Sequence, residues 1–117
     1  ERAQGSALME DFLNKYSNID LVISNNDDMG LGAIDAIERA NNITGIKVVG
    51  IDGTKEALEA INEGKLLGTI ESDKKEYAKA VVEIVMYAIG KSELPEDIKS
   101  KLTENRTYDV GQIPRVK

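Results

Sequence analysis

Cysteine, histidine and tryptophan are absent from this sequence, and phenylalanine occurs once. Without cysteine there is no disulfide framework, thiolate metal site or thiol nucleophile. Without histidine the commonest general base and metal ligand is gone. No apolar run approaches the ~18 residues of a membrane span, and the first residues do not form a signal peptide. Basic clusters are missing too. Fifteen basic residues against 21 acidic ones give a net charge of -6, which argues against nucleic acid or an anionic membrane surface as a partner.

What is present reads as one globular domain. The 117 residues are 41% hydrophobic and 31% charged, enough for a real core. From Arg2 to Tyr16, the apolar residues Ala3, Ala7, Leu8, Phe12, Leu13 and Tyr16 recur at three- and four-residue steps. That spacing predicts an amphipathic helix with Phe12 in the core. Ile19 to Ser24 is short and rich in β-branched residues, so it is expected to be a buried strand. Asp27 or Asp28 then offers an N-cap for a helix over Met29 to Ala40. In that helix Leu31, Ile34, Ile37 and Ala40 are the expected buried set, and Gly30 and Gly32 permit close backbone approach.

The alternation continues. Lys47 to Ile51 reads as a strand, Lys55 to Glu63 as a helix with Gly64 as its left-handed cap, and Leu66 to Ile70 as a third strand. Lys75 to Ile89 reads as a long helix carrying Ala78, Val81, Val82, Val85, Ala88 and Ile89. Beyond Gly90 the composition turns polar, with Pro95 and Pro114 interrupting it, and Arg106 to Val110 is a candidate for one more strand. Strands alternating with helices through short loops predict a parallel sheet in an α/β fold. Three polar clusters then share one edge: Asn25-Asn26-Asp27, Asp52-Gly53 and Glu71-Ser72-Asp73. In open parallel sheets ligands bind at that edge.

The run NNDDMGLGAIDAI, followed at this spacing by VVGIDGTKEALEAINEGKLLGTI, resembles the carboxyl-terminal lobe of the bacterial periplasmic binding proteins for hexoses and pentoses. The galactose/glucose-binding type is the nearest. The resemblance covers Glu1 to about Gly90. It implies a three-layer lobe with a central parallel sheet flanked by helices, one lobe of two. Residues 1–105 would form the sugar-binding lobe, and residues 106–117 the hinge-crossing tail toward an amino-terminal lobe. Glu1-Arg2 begins inside what reads as a helix, as an internal piece of an exported protein would.

A sugar presents hydroxyls that both donate and accept, so its site needs carboxylates and amides in fixed positions. Asn26 and Asp52, at neighbouring strand ends, supply such a pair. The resemblance implies that these two bond the sugar. The plainer alternatives are a turn amide for Asn26 and a turn or capping carboxylate for Asp52; Asp27 and Asp28 are read as cap and structural residues. At the third strand end the family usually has Asn or Gln, and here Ser72 matches. Direct contact by Ser72 weighs evenly against a loop role for Ser72 and Asp73. The family also stacks an aromatic ring on the sugar, and register places that ring before Glu1. Asp20 matches a calcium ligand of some galactose-type proteins, yet no oxygen-rich loop of the right spacing accompanies it, so a solvated Asp20 is preferred and neither a metal nor a cofactor is expected.

The function expected is non-catalytic monosaccharide binding as one lobe of an ABC-transporter solute-binding protein. Its partners would be the sugar, the amino-terminal lobe and the transporter's membrane subunits, with a chemotaxis receptor as a further candidate. Its location would be periplasmic or extracytoplasmic, as an anchored lipoprotein if the source is Gram-positive. One alternative is the effector-binding core of a lactose-repressor-type regulator, which shares an NDDM-like loop. Another is an enzyme using Asp27, Asp52 and Asp73 as acids, bases or metal ligands; it has no phosphate-binding glycine loop of recognised form to support it.

Overall fold

The computed structural model describes residues 1–41, 45–102 and 110–116. The chain divides into two units, Glu1–Glu71 with the stretch from Pro114, and Ser72–Ile113. The described elements are α1 (Arg2–Lys15), β1 (Leu21–Ile23), α2 (Asp27–Arg39), β2 (Lys47–Ile51), α3 (Lys55–Asn62), β3 (Gly68–Ser72), α4 (Lys74–Ala88), α5 (Glu96–Lys99) and β4 (Gln112–Val116). The sheet order is β1-β2-β3-β4. β1 pairs parallel with β2, Val22 opposite Val48, and β2 pairs parallel with β3, Gly50 opposite Thr69. The fold is α/β, as the alternation predicts.

Side chains alternate across a strand, and here one face of the sheet is packed. Val22 and Val48 meet Leu31, Ile34, Ala57, Ala60, Ile61 and Leu66, which joins α2 and α3 to the sheet. The opposite face of β1 and β2 carries Leu21, Ile23 and Ile51, all exposed, Ile23 to 74%. The strand expected to be buried over 19–24 is shorter and lies at the end of the strand order. β4 is the other end of that order, and Pro114 within it suits an edge strand, where a missing N–H is tolerated.

Helix α1 turns inward a stripe that shares only Leu13 with the one expected. Gly5 and Met9 are buried, and Leu13 packs beside Met9, Ala33 and Ala36. Phe12, Leu8 and Tyr16 are 45%, 47% and 49% exposed, so Phe12 is not a core residue. The cause is a backbone-to-backbone crossing. A Cβ on Gly5 would collide with the Met29 carbonyl, and one on Gly32 with the Arg2 carbonyl. The glycines set how α1 lies on α2, and that fixes which flank carries the larger side chains. Two arginines tie the same helices: Arg2 donates to both carboxylate oxygens of Asp35 at 2.6 and 2.7 Å, and Arg39 reaches Glu10 at 2.6 Å.

Other expectations hold with shifted bounds. β2 begins and ends where predicted, and α3 is closed by Gly64 at φ 78°. Strand β3 runs to Ser72, two residues beyond the expected end. In the second unit α4 is capped by Asp73, which accepts from the Lys75 and Glu76 amides at 3.0 Å. Its packed residues are not the large apolar ones that it carries. Ala80 and Ile84 pack with Leu94, Ile98 and Leu102, whereas Val81, Val82, Val85 and Ile89 are exposed. Helix α5 supplies Ile98 to that cluster, so a small apolar group selects the narrow Ala80 face. The strand candidate at 106–110 lies outside the described residues except for Val110, which is in no regular element.

Two outcomes follow from the α1–α2 crossing. Ala is ordinarily better than Gly inside a helix by about 1 kcal/mol, but here the methyl group meets backbone, and overpacking costs about 1–3 kcal/mol. Gly5→Ala should lower the urea midpoint; a raised midpoint would remove the close crossing. Hydrogen bonding by Arg2 holds the Asp35 carboxyl below its ordinary value, against a smaller opposing push from burial. The stability this contributes is present above the unfolded-state pKa and is lost as pH falls through the lower folded one. Both side chains are partly exposed, so Asp35→Asn should cost only ~0.5 kcal/mol near neutral pH and less in high salt. Unfolding curves of the two proteins should converge as pH falls through the lowered folded-state pKa of Asp35; a gap that stays equal from neutral to acid pH would deny the ion pair a role.

Candidate functional site

Asn26 stands three residues past the end of β1, and Asp52 immediately follows β2. Because the strands are parallel neighbours, both lie at the carboxyl edge of the sheet. Asn26, not Asp27 or Asp28, is the N-cap of α2: its backbone is extended and its Oδ1 accepts from the Met29 amide at 2.9 Å. A cap must accept, so the amide points its oxygen into the helix and keeps its Nδ2 donor for another partner. The capping role expected of the aspartates thus falls to the residue singled out for ligand contact. The two roles use different atoms.

Asp27 is the first residue of the helix and is fully buried. Its Oδ2 accepts from the Thr54 amide at 2.8 Å and its Oδ1 from the Thr69 hydroxyl at 2.6 Å. Thr69 Oγ1 in turn accepts from the Gly53 amide at 3.3 Å. Gly50 leaves the space for this carboxylate, since a Cβ there would collide with Asp27 Oδ1. One acid therefore links the β1–α2 loop, the β2–α3 loop and β3. Thr54 caps α3 by accepting from Ala57 at 3.2 Å.

Asp52 is exposed and has a φ of 124°, in a region that residues with a side chain seldom occupy. Gly53 after it has φ 65°. The Asp52 amide donates to the Ile70 carbonyl at 2.8 Å, so the strain sits on a turn anchored from both sides. Backbone strain of this kind clusters at functional sites. Ser72 is the exposed last residue of β3 and opens the second unit. Asp20 is exposed, and its carbonyl accepts from the Lys47 amide at 2.9 Å. Among the described residues, no three His, Cys, Asp or Glu side chains converge as metal ligands.

The arrangement offers an amide donor and a carboxylate at adjacent strand ends. Thr54, Thr69 and Gly50 were not singled out from sequence. The one available signal was a glycine inside an otherwise β-branched strand, which marks close approach of another group.

Residues 1–93 match the model of the family described as periplasmic binding protein domain. The chain belongs to that family. A fructose import binding protein of Bifidobacterium longum is 38% identical over 104 residues, covering 85% of this chain and 30% of that protein. A D-galactose/methyl-galactoside binding periplasmic protein of Haemophilus influenzae is 38% identical over 71 residues, 61% of this chain and 21% of that protein. Among solved structures, an ABC transporter periplasmic solute binding protein from Actinobacillus succinogenes with bound D-allose superposes with a TM-score of 0.81. It shares 27% identity, and the match covers 100% of this chain and 37% of that chain. This chain thus spans well under half the length of each.

As a member of a family of binding proteins, the chain leaves the enzymatic alternative little ground. Asp27 is fully buried with both oxygens occupied, by an N–H and a hydroxyl, which withdraws one of that reading's three carboxylates.

The double use of Asn26 can be separated by substitution. Asn26→Ala removes the cap and should cost about 1 kcal/mol of stability. Asn26→Asp keeps an acceptor for Met29 and gains from the helix dipole, so its urea midpoint should stay near the wild-type value. Equal losses in both variants would mean that the cap is not what Asn26 contributes.

Proposed function

We propose that this chain is the carboxyl-terminal lobe of a monosaccharide-binding protein serving an ABC transporter, and that the sugar is of the galactose/glucose type. Residues 1–105 form the lobe, and residues 106–117 lead toward the amino-terminal lobe. The supporting observation is the pairing of Asn26 and Asp52 at the ends of adjacent parallel strands, one keeping an amide donor and the other an exposed carboxylate. Asp52 accepts hydroxyl protons, Asn26 donates to a hydroxyl oxygen, and Ser72 at the end of β3 adds a shorter, single donor. The names of the relatives span fructose, galactose and allose, which favours a hydroxyl-rich ring without selecting one. The galactose/glucose choice rests on the NNDDMGLG and GIDGTKEAL runs.

In this reading the sugar bonds to both lobes and thereby favours their closed arrangement, a population shift set by contacts made only when shut. The closed form is what the membrane subunits, and a chemotaxis receptor where one is present, would recognise. The protein is extracytoplasmic, held as a lipoprotein in a Gram-positive source.

Calorimetric titration of a hexose and pentose panel tests this, using the chain with its amino-terminal lobe. Glucose or galactose should release heat only with both pieces present. Asp52→Ala should weaken binding by tenfold or more, roughly the loss of one or two charge-assisted hydrogen bonds. Asn26→Asp should weaken it by a similar factor at unchanged stability. Undiminished affinity in Asp52→Ala would sink the site, and silence from both folded, associated pieces would sink the function and favour the repressor-core alternative.

A further inference from the structure

Asp52 has a backbone conformation that its own side chain disfavours, and every amide from 52 to 54 is held. The Asp52 amide donates to the Ile70 carbonyl, the Gly53 amide to the Thr69 hydroxyl and the Thr54 amide to the Asp27 carboxylate. The last two restraints converge, because Thr69 donates its own proton to Asp27. That bond orients the hydroxyl so that its lone pairs face Gly53. A carboxylate suits this place because it accepts at both oxygens, whereas an amide would present a donor to one of two donors. Gly50, opposite Thr69 in the sheet, is small where Asp27 enters.

We propose that the buried Asp27–Thr69 pair is a positioning device: it clamps the Asp52–Gly53–Thr54 turn so that Asp52 presents its carboxylate in the strained form that grips ligand. This rests on Asp52 being a sugar-bonding residue, as proposed above. Asp27 and Thr69 act through Asp52 and do not touch the sugar. A buried acid used only for stability would affect unfolding without affecting the grip of the site, and there the two accounts part.

Thr69 is the better probe, because Asp27→Ala would strand two donors and risk unfolding. Thr69→Val keeps the shape but removes the hydroxyl link; Thr69→Ser keeps the hydroxyl. A first experiment needs no sugar. Asp52→Gly relieves the positive-φ strain and should raise the urea midpoint of the chain, since Gly accepts that conformation freely. In the Thr69→Val background the turn has already relaxed, so the same substitution should raise the midpoint less. Additive midpoint shifts would mean that Thr69 does not impose the strain, and would overturn the clamp.

A second experiment titrates D-galactose and D-glucose into the chain paired with its amino-terminal lobe. Thr69→Val should weaken binding roughly tenfold, the equivalent of one ordinary hydrogen bond, and Thr69→Ser should restore it. Wild-type affinity in Thr69→Val, with Asp52→Ala weakened, overturns the positioning role alone. Wild-type affinity in Asp52→Ala overturns the proposed sugar-bonding site and the positioning role with it.

Discussion

The carboxylate of Asp27 is the contact on which the carboxyl edge of the sheet depends. It is fully buried, yet accepts an amide proton from one loop and a hydroxyl proton from the neighbouring strand. A buried charge without partners is costly, whereas one that accepts short hydrogen bonds from fixed donors is tolerated and rigidifies what it touches. The donors are fixed here because Thr54 caps α3 and Thr69 lies inside β3. Three segments far apart in sequence are thereby brought into one register at their ends. A glycine at position 50 and an asparagine cap at position 26 are the local accommodations that let the acid reach this place.

Much of the fold was legible because its signals are local. The β-branched run at 47–51, the Gly64 stop and the alternation of strand and helix all depend on residues within a few positions of one another, although β3 sits two residues later than expected. The inward stripe of α1 depends instead on a partner. Ala7, Leu8 and Phe12 form an acceptable apolar face by spacing alone, and only the crossing of Gly5 over Met29 shows that the narrow flank faces inward. Glycine in a helix reads as weakness until the neighbouring backbone is known. The same limit explains α4, where the valines at 81, 82 and 85 outweigh Ala80 in any count of hydrophobicity, yet Ala80 is the buried residue.

For the candidate site, the sequence offered positions but not the division of labour. Asn26 and Asp52 were recognisable as polar residues at strand ends. That Asn26 caps α2, and that Asp27 lies beneath rather than at the cap, required knowing where the helix axis points. The links through Thr69 and Thr54 span 42 and 27 residues, and no local pattern announces a bond of that reach.

Capping by Asn26 and the binding role proposed for it are complementary. The cap fixes the amide plane and assigns its oxygen to Met29, so the direction of the donor is settled before any ligand arrives. The Asp52 turn is likewise set by bonds to three separate groups. In the proposed function, this half of the site is therefore ordered in advance, and binding there spends little side-chain entropy. The free energy that ligand contact makes available can then go toward bringing the other lobe in. Strain at Asp52 is consistent with that economy, since it is carried by the fold at all times and need not be generated when sugar binds.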